Sequence, residues 1–397
     1  MTAPLTGFEQ TGRWTTIAEE STYLNQIASD TDAVITEAGR TVEGREIRRV
    51  DIGNPDGSTV VIVCAQHGSE PASREAGLRM IRDLTYSPSP DVSAYLAQHR
   101  LVILPTVNAD RVPDARNNAN GVNLNRDWLR LTQPESQAVQ QAINDAEPAV
   151  ILDAHETLNT AADWHPYPAG LPGTHPNITG LATAWVSRAT SLLADDGYTT
   201  RYYLVGFLPW AGLSTVANAA HAVGILSETV ATHDAERRVQ IQQAMFMDLL
   251  TWHGENVAAI DAARAKSMLA AIASTDPVPI PTREYIGTQA VTTVDVAGYE
   301  LGEPIPQHLI DAHGITVDGS YVTVNQPARL IVAALCDPDS VEKVVPATRV
   351  PRSSTGPDTP LPDGVPASAL VMVDGRPRPV IGMYYQQGGR RIPVSLT

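Results

Sequence analysis

The sequence Val60-Val61-Ile62-Val63-Cys64-Ala65 runs directly into Gln66-His67-Gly68-Ser69-Glu70-Pro71. The first part is apolar and rich in β-branched side chains, and such a short run predicts a buried strand. Proline is favoured in the first turn of a helix, because the N–H that it lacks has no partner there, so a helix is expected over 71–84. The stretch therefore predicts a strand–turn–helix unit with His67 and Glu70 at the turn.

The same alternation continues along the chain. Three more short apolar runs, each expected to form a buried strand, lie at 101–107, 149–154 and 222–227. Helical patterns follow at 134–146 and 179–195, and an alanine-rich helix is expected over 255–272. Alternating strands and helices are typical of an α/β domain. The sequence therefore predicts a mixed, largely parallel central sheet flanked by helices.

Changes in composition divide the chain into segments. The breaker TDPVPIPT at 275–282 precedes short alternating runs, such as GSYVTVNQPARLIVAAL at 319–335, which predict β-structure. A later stretch rich in Pro, Gly and Ser has the composition of a linker, and DG and GG pairs near the end predict hairpin turns. The predicted segments are an N-terminal extension (1–40), a central α/β domain (41–274), a small β domain (283–347), a linker (348–367) and a C-terminal β segment (368–397).

The bulk properties exclude several classes of partner. The 397 residues carry a net charge of -16, from 28 Lys and Arg against 44 Asp and Glu, which disfavours binding to nucleic acids. No apolar run approaches the ~20 residues of a membrane-spanning helix, so no membrane partner is expected. The N-terminus lacks the pattern of a signal peptide, and synthesis in the cytoplasm is expected. The distant cysteines Cys64 and Cys336 exclude a disulfide framework and a cysteine-type zinc site.

A second histidine follows another predicted core strand. The third apolar run leads into His155 and Glu156, and the carboxyl ends of strands are where open α/β sheets bind ligands. Two imidazoles and one carboxylate form a catalytic zinc set that leaves a fourth position for water. His67, Glu70 and His155 are therefore the candidate ligands of one Zn²⁺, and Asp153 or Glu156 is expected to hold the other ring nitrogen of His155. Without the neighbouring motifs, a core histidine bonded to a backbone carbonyl would be the better interpretation of His155.

Two further motifs lie between these ligands. They are Asn108-Ala109-Asp110-Arg111 and RNNANGVNLNRDW at 116–128. With H-x-x-E upstream and the strand-end histidine downstream, they resemble the zinc carboxypeptidases of the M14 type, the carboxypeptidase A superfamily, over 41–229. The sequence departs from the family at Ala109, within the N-P-D-G motif, and at Asn123, which replaces an acidic residue; neither change is expected to touch a ligand. The resemblance implies a carboxypeptidase-like fold and a zinc peptidase domain.

The resemblance also implies roles for polar residues of the second motif. Asn125 and Arg126 are expected to hold the C-terminal carboxylate of a peptide substrate, since a planar guanidinium binds a carboxylate through two parallel hydrogen bonds. Arg116 is expected to stabilise the oxyanion that forms at the scissile carbonyl. The alternative for each arginine is a surface salt bridge, which contributes roughly 0–1 kcal/mol.

A general base and a mobile tyrosine are implied farther along the chain. Glu228 follows the fourth apolar run, where the family has the glutamate that takes a proton from the attacking water and passes it to the leaving amine. Tyr203, or Tyr202 beside it, matches a tyrosine that closes over the substrate. The alternatives are a solvent-facing carboxylate and an aromatic residue used for packing.

The pocket lining and the chain ends indicate a substrate and a setting. Between Tyr203 and Glu228 the only titratable residue is His221, and a neutral lining favours an apolar or small C-terminal residue. The His-Glu pair at 155–156 resembles enzymes that act on peptidoglycan stem peptides, and the terminal segments resemble peptidase-bearing tail proteins of bacteriophages. These resemblances imply association with a virion or cell-wall assembly through the β modules.

Three functions are compatible with the sequence. The first is a zinc carboxypeptidase acting near a free C-terminal carboxylate, and the second is an N-acyl amino acid deacylase resembling succinylglutamate desuccinylase or aspartoacylase. The third is a structural phage tail protein with an idle peptidase fold. The loop at 116–126 favours the peptidase over the deacylase. The presence of all three ligands together with Glu228 speaks against an idle fold.

Overall fold

A seven-stranded mixed sheet forms the centre of the protein. The computed structural model describes residues 2–202, 210–282 and 291–352, with four further strands near the C-terminus. The strands of the sheet are β1 (Val34–Arg40), β2 (Glu46–Gly53), β3 (Thr59–Cys64), β4 (Arg100–Leu104), β5 (Val150–Thr157), β6 (Trp164–Pro168) and β7 (Val223–Val230). Their order across the sheet is β1-β2-β4-β3-β5-β7-β6. The central strands β4, β3, β5 and β7 are parallel and the outer strands pair antiparallel, which confirms the predicted fold class.

Helices cover both faces of this sheet. They are α1 (Gly7–Thr11), α2 (Ile17–Asp30), α3 (Ala72–Tyr86), α4 (Pro90–Leu96), α5 (Pro134–Ala146), α6 (Pro176–Asp195), α7 (Leu213–Ala219) and α8 (Ala235–Ala273). One core joins the sheet to α2, α3, α6 and α8, and the other joins it to α5 and α7. None of the helices in the described part of the chain is long and apolar enough to cross a membrane.

The strands that carry polar residues extend further than predicted. β5 continues to Thr157 and β7 to Val230, and every residue of both strands is buried. The predicted strands stopped earlier, because charged residues are rarely buried without partners. His155 and Glu228 therefore lie inside strands rather than after them, and pairing within the sheet fixes the register of their backbones.

The N-terminal extension is part of the central domain, contrary to the predicted boundary at residue 40. β1 is an edge strand of the sheet, and Leu24 and Ile27 of α2 are fully buried in the core that contains α3 and α8. Tyr23 donates a hydrogen bond to the carbonyl oxygen of Leu78 in α3 at 2.8 Å. The apolar spacing of α2 indicates a buried face, but it does not show which core that face joins.

The segment after α8 forms a mixed α/β module rather than the predicted β domain. Its elements are β8 (Val278–Pro281), β9 (Val291–Val294), β10 (Gly298–Leu301), α9 (Gln307–His313), β11 (Tyr321–Thr323), α10 (Arg329–Cys336) and β12 (Ala347–Val350). β8 pairs with β9, so the module begins before residue 283. α10 lies where β-structure was predicted: all 8 of its residues are buried, so no exposed face marks a helical period in the sequence.

The module shares a core with the central domain. Tyr299 and Val332 of the module belong to the same buried cluster as Trp128 and Ile143. β12 extends into the predicted linker (348–367), most of which, from residue 353 onward, lies outside the described residues. The predicted hairpins of the C-terminal segment are present as two strand pairs. These are β13 (Leu370–Val373) with β14 (Arg376–Pro379), and β15 (Tyr384–Gln387) with β16 (Arg390–Pro393).

Candidate metal centre

A tight turn after β3 places the first predicted ligand. Ala65 has a φ of +48°, which turns the chain out of the strand direction before His67. Gly68 lets this turn pack closely against a neighbouring loop, because a Cβ at this position would lie 2.4 Å from the carbonyl carbon of Arg111. The position of His67 is therefore fixed both by the strand that precedes it and by the loop packed against it.

His67, Glu70 and His155 form one buried cluster. Nδ1 of His67 lies 2.9 Å from Oε1 of Glu70, and Nδ1 of His155 lies 2.8 Å from Oε2 of the same carboxylate. The two Nδ1 atoms face each other at 3.1 Å, and each of the three side chains is at most 5% exposed. Ligand atoms around a tetrahedral zinc lie ~3.4 Å apart for bonds of ~2.0–2.1 Å. A slight expansion of the cluster therefore accommodates Zn²⁺.

The outer nitrogen of each histidine has an oxygen acceptor. Nε2 of His155 lies 2.6 Å from a carboxylate oxygen of Asp153, and Nε2 of His67 lies 2.9 Å from the amide oxygen of Asn123. A proton on each Nε2 leaves the Nδ1 lone pair free for a metal. Of the two outer partners predicted for His155, Asp153 rather than Glu156 has this role. The expectation that Asn123 touches no ligand is wrong, because this residue is the acceptor for His67.

Asp153 is fully buried and its carboxylate is held by two amides. Gln66 donates to one of its oxygens, and Asn125 donates to the other at 3.2 Å. Trp128 in turn donates from its indole N–H to the amide oxygen of Gln66 at 2.9 Å. These bonds offset the cost of burying the carboxylate. Gln66 was not predicted from the sequence, although its place directly before a proposed ligand is a usable signal.

The cluster holds Glu70 in its charged form. Burial alone would raise the pKa of Glu70, but His67 and His155 hold it well below its usual range. Burial lowers the pKa of His67, and Glu70 opposes this effect. Burial would also lower the pKa of His155, but Asp153 and Glu70 raise it to about 10. An ionised carboxylate is the form that binds a metal cation.

Glu228 lies beside the cluster on β7. Its backbone pairs with that of His155 in parallel register, and the residue is 8% exposed. Burial and the charge of Glu70 raise the pKa of Glu228 to about 8, against the opposing effects of His155 and Arg116. A pKa close to neutral pH suits a group that takes up a proton and returns it. The structure therefore brings the predicted general base into the electrostatic field of the His67, Glu70 and His155 side chains.

The predicted substrate-binding residues occupy different positions. Arg116 is half-exposed and donates from Nη1 to Oε1 of Glu70, so it contacts one of the candidate metal ligands. Arg126 is exposed, and its Nη1 donates to the backbone oxygen of Asn125 at 2.6 Å. Asn125 is buried, and its amide oxygen accepts from the N–H of Leu213 at 2.8 Å. The roles of Asn125 and Arg126 toward a substrate carboxylate stay predictions, as does that of Arg116 toward the oxyanion. In the structure Asn125 also bonds Asp153, the outer partner of His155.

Two tyrosines and one histidine remain of the residues singled out by the sequence. Tyr203 lies outside the described residues, and Tyr202 is 42% exposed. His221, the titratable residue of the predicted pocket lining, is buried: Nδ1 lies 2.8 Å from the hydroxyl of Ser267 and Nε2 lies 3.0 Å from the backbone oxygen of Pro327. Its ring therefore links α8 to the mixed α/β module that follows this helix.

Comparisons with known proteins agree with this geometry. The sequence profile of the zinc carboxypeptidase family matches residues 21–167. Carboxypeptidase SOL1 of Arabidopsis thaliana is 35% identical over 92 residues, which cover 20% of this chain and 19% of that protein. The chain thus spans about a fifth of the length of this curated relative. The resemblance to zinc carboxypeptidases that the motifs predicted is confirmed for this part of the chain.

Solved structures share the fold. A metallo-carboxypeptidase from Burkholderia cenocepacia has a TM-score of 0.52 at 21% identity, covering 59% of this chain and 68% of that one. A metallo-carboxypeptidase from Pseudomonas aeruginosa has a TM-score of 0.51 at 18% identity, covering 62% and 69%. Thrombin activatable fibrinolysis inhibitor has a TM-score of 0.53 at 13% identity, covering 64% and 81%. At these identities the likeness establishes a carboxypeptidase-like fold.

Proposed function

Since residues 21–167 match the zinc carboxypeptidase family and the fold is carboxypeptidase-like, we propose that this protein is a zinc-dependent peptidase. It hydrolyses a peptide bond near a free C-terminal carboxylate, with one Zn²⁺ held by His67, Glu70 and His155. One observation carries the proposal. The two Nδ1 atoms face each other at 3.1 Å beside the Glu70 carboxylate, and each outer Nε2 is engaged by an oxygen acceptor.

In the proposed reaction, the metal and two side chains have separate chemical roles. Zn²⁺, when bound, polarises the scissile carbonyl and lowers the pKa of a coordinated water toward neutrality. Glu228 takes a proton from the attacking water as the new C–O bond forms, and returns it to the amine as the C–N bond breaks. Arg116 donates hydrogen bonds to the oxyanion that develops at the carbonyl, where a fixed cation contributes most. The atoms balance, because one water is consumed for each bond cut.

The proposed substrate is a peptide with a free C-terminal carboxylate, including peptidoglycan stem peptides with an apolar or small last residue. The motif that contains Arg126 supports this proposal, since a planar guanidinium binds a carboxylate through two parallel hydrogen bonds. We also propose that the C-terminal hairpins attach the enzyme to a virion or cell-wall assembly. Both hairpins lie outside the segment that matches the peptidase family.

Zinc content and activity test the proposal together. Wild-type protein and Glu228→Gln are assayed on blocked dipeptides with free C-termini, N-acyl amino acids and isolated muropeptides. We expect one zinc per chain, turnover of the dipeptides or muropeptides, and a loss of at least ~100-fold in Glu228→Gln, as for removal of a general base. Asp248→Asn is the matched control, because this buried carboxylate bonds Trp185 and Arg188 between α6 and α8; it should retain full activity.

The contrary outcomes are distinct. Absence of zinc together with absence of turnover would leave a structural protein. Turnover of N-acyl amino acids alone would assign a deacylase instead of a peptidase. Activity that survives in Glu228→Gln would show that another group acts as the base.

A further inference from the structure

Glu156, the residue after the ligand His155, is a buried carboxylate behind the metal centre. It is 3% exposed, and its Oε1 accepts a hydrogen bond from the backbone N–H of Ala72, at the start of α3, at 2.8 Å. Its own backbone N–H donates to Oε2 of Glu70 at 3.1 Å. This residue therefore contacts both the metal ligand Glu70 and the helix that directly follows it.

Arg238 of α8 pairs with this carboxylate. Its Nη1 donates to Oε2 of Glu156 at 2.6 Å, and the residue is 9% exposed. Its guanidinium carbon lies 5.1 Å from the centre of the Trp14 ring, within the range of a cation–π contact. Trp14 stacks on Phe8 with ring centres 4.8 Å apart. Residues 6–20, which we call the N-terminal arm, therefore cover the outer side of the ion pair.

The N-terminal arm is also bonded to α3. The N–H and hydroxyl of Thr15 donate to the two carboxylate oxygens of Glu75 at 2.8 and 3.0 Å. Arg74 is fully buried and donates to Glu20 at 2.6 Å and to the backbone oxygen of Thr15. The arm thus contacts both helices that bond the Glu156 side chain. It lies wholly before residue 21, where the match to the peptidase family begins.

We propose that Glu156 and Arg238 are positioning residues for the metal ligand Glu70, with the N-terminal arm holding the pair in place. The inference rests on the proposed function, since it assumes a metal bound by Glu70. Glu156 fixes the first turn of α3 through Ala72 and the carboxylate of Glu70 through its own backbone. Arg238 holds the Glu156 carboxylate in position through its hydrogen bond, because a buried carboxylate needs a paired cation.

A structural role and a positioning role differ in what they change. An ion pair that only supports the fold changes the free energy of unfolding, whereas the folded protein binds zinc as before. A positioning pair also changes zinc affinity, because outer partners of metal ligands contribute about 10–100-fold to metal binding. Zinc affinity of the folded protein is therefore the deciding measurement, and it does not depend on activity.

The test uses the full chain and a chromophoric zinc chelator as competitor. Glu156→Gln keeps an acceptor for Ala72 but removes the charge, and Arg238→Met keeps the aliphatic stem but removes the cation. We expect each change to weaken zinc binding about 10–100-fold. In the double variant, the loss of binding free energy should be smaller than the sum of the losses in the two single variants. Trp14→Leu should lower zinc affinity by a smaller factor than either of these changes. Arg238→Lys retains the charge, should recover part of the affinity, and replaces Arg238→Met if that variant does not fold.

Arg49→Met is the matched control. Arg49 of β2 is 8% exposed and forms a paired contact with Asp51 at 2.7 and 2.9 Å. Its loss should lower the free energy of unfolding and leave zinc affinity unchanged. If folded Glu156→Gln and Arg238 variants bind zinc as Arg49→Met does, the inference is wrong. A wild-type protein that binds no zinc would overturn the proposed function as well, whereas weakened zinc binding in an inactive peptidase would overturn the proposed function alone.

Discussion

Replacement of Asp153 by asparagine tests how the metal ligands are oriented. The carboxylate is fully buried and accepts from Nε2 of His155 at 2.6 Å. Asparagine keeps the shape and one oxygen, but it removes the negative charge that orients and polarises the ring. Loss of such an outer partner weakens metal binding about 10–100-fold, or roughly 1.4–2.7 kcal/mol. We expect the zinc dissociation constant of Asp153→Asn to rise by this factor.

The same substitution has a separate cost for folding. The carboxylate oxygens of Asp153 accept from Gln66, His155 and Asn125, whereas an asparagine amide offers a single oxygen to these donors. Its N–H₂ group then faces another donor, and an unpaired buried polar group costs about 1–3 kcal/mol. Urea unfolding of the metal-free variant should show a loss of that size.

A second buried aspartate separates the two effects. Asp127 is 3% exposed, and its carboxylate accepts from Thr132, Gln133 and Ser136 rather than from a metal ligand. Asp127→Asn should therefore lose stability in urea and keep its zinc affinity in the chelator competition. If Asp153→Asn loses stability but binds zinc as tightly as the wild type, Asp153 only supports the fold. Our account of ligand orientation would then be refuted.

Three further outcomes are expected. Asn123→Asp places a carboxylate behind Nε2 of His67, where an amide oxygen lies at 2.9 Å, and should tighten zinc binding about tenfold in the same competition. In Gly68→Ala the new Cβ would lie 2.4 Å from the carbonyl carbon of Arg111, so urea unfolding should show a loss of about 1–3 kcal/mol and zinc binding should weaken. Burial lowers the pKa of His253 to about 3. Below the unfolded pKa of ~6.5, the unfolded chain takes up a proton that the native protein does not, so the free energy of unfolding decreases as the pH is lowered. About 2 kcal/mol of the wild-type decrease in unfolding free energy between pH 7 and pH 5 should therefore be absent in His253→Gln.

The sequence predicted the parts of the molecule that have a short-range signal. β3 and α3 follow from an apolar run and a first-turn proline, which depend on neighbouring residues alone. The ligand set followed from similar reasoning, because parallel core strands bring their carboxyl ends to one edge of the sheet. The structure places His67, Glu70 and His155 within hydrogen-bond distance of one another at that edge.

The remainder depends on contacts between residues far apart in the sequence. Asn123 and His67 are 56 positions apart, and no local pattern links them. The apolar run of α10 is buried on every side, so its period does not distinguish a helix from a strand. The N-terminal arm seemed separate because its partners in α3 and α8, such as Glu75 and Arg238, lie far from it in the sequence. Each of these features therefore depends on tertiary contacts rather than on local sequence.

The buried charges around the centre give a further argument for a divalent cation. The carboxylates gathered there, each at most 8% exposed, are those of Glu70, Asp153, Glu156 and Glu228. Two guanidinium groups, those of Arg116 and Arg238, contact them. If the histidines are neutral and all four carboxylates are ionised, as metal binding would require of the ligands, four negative and two positive charges leave a surplus of two negative charges, which Zn²⁺ would balance. Burial and Glu70 raise the pKa of Glu228 to about 8, and two positive charges beside it act in the opposite direction. A bound Zn²⁺ would therefore also favour the ionised form of Glu228 near neutral pH.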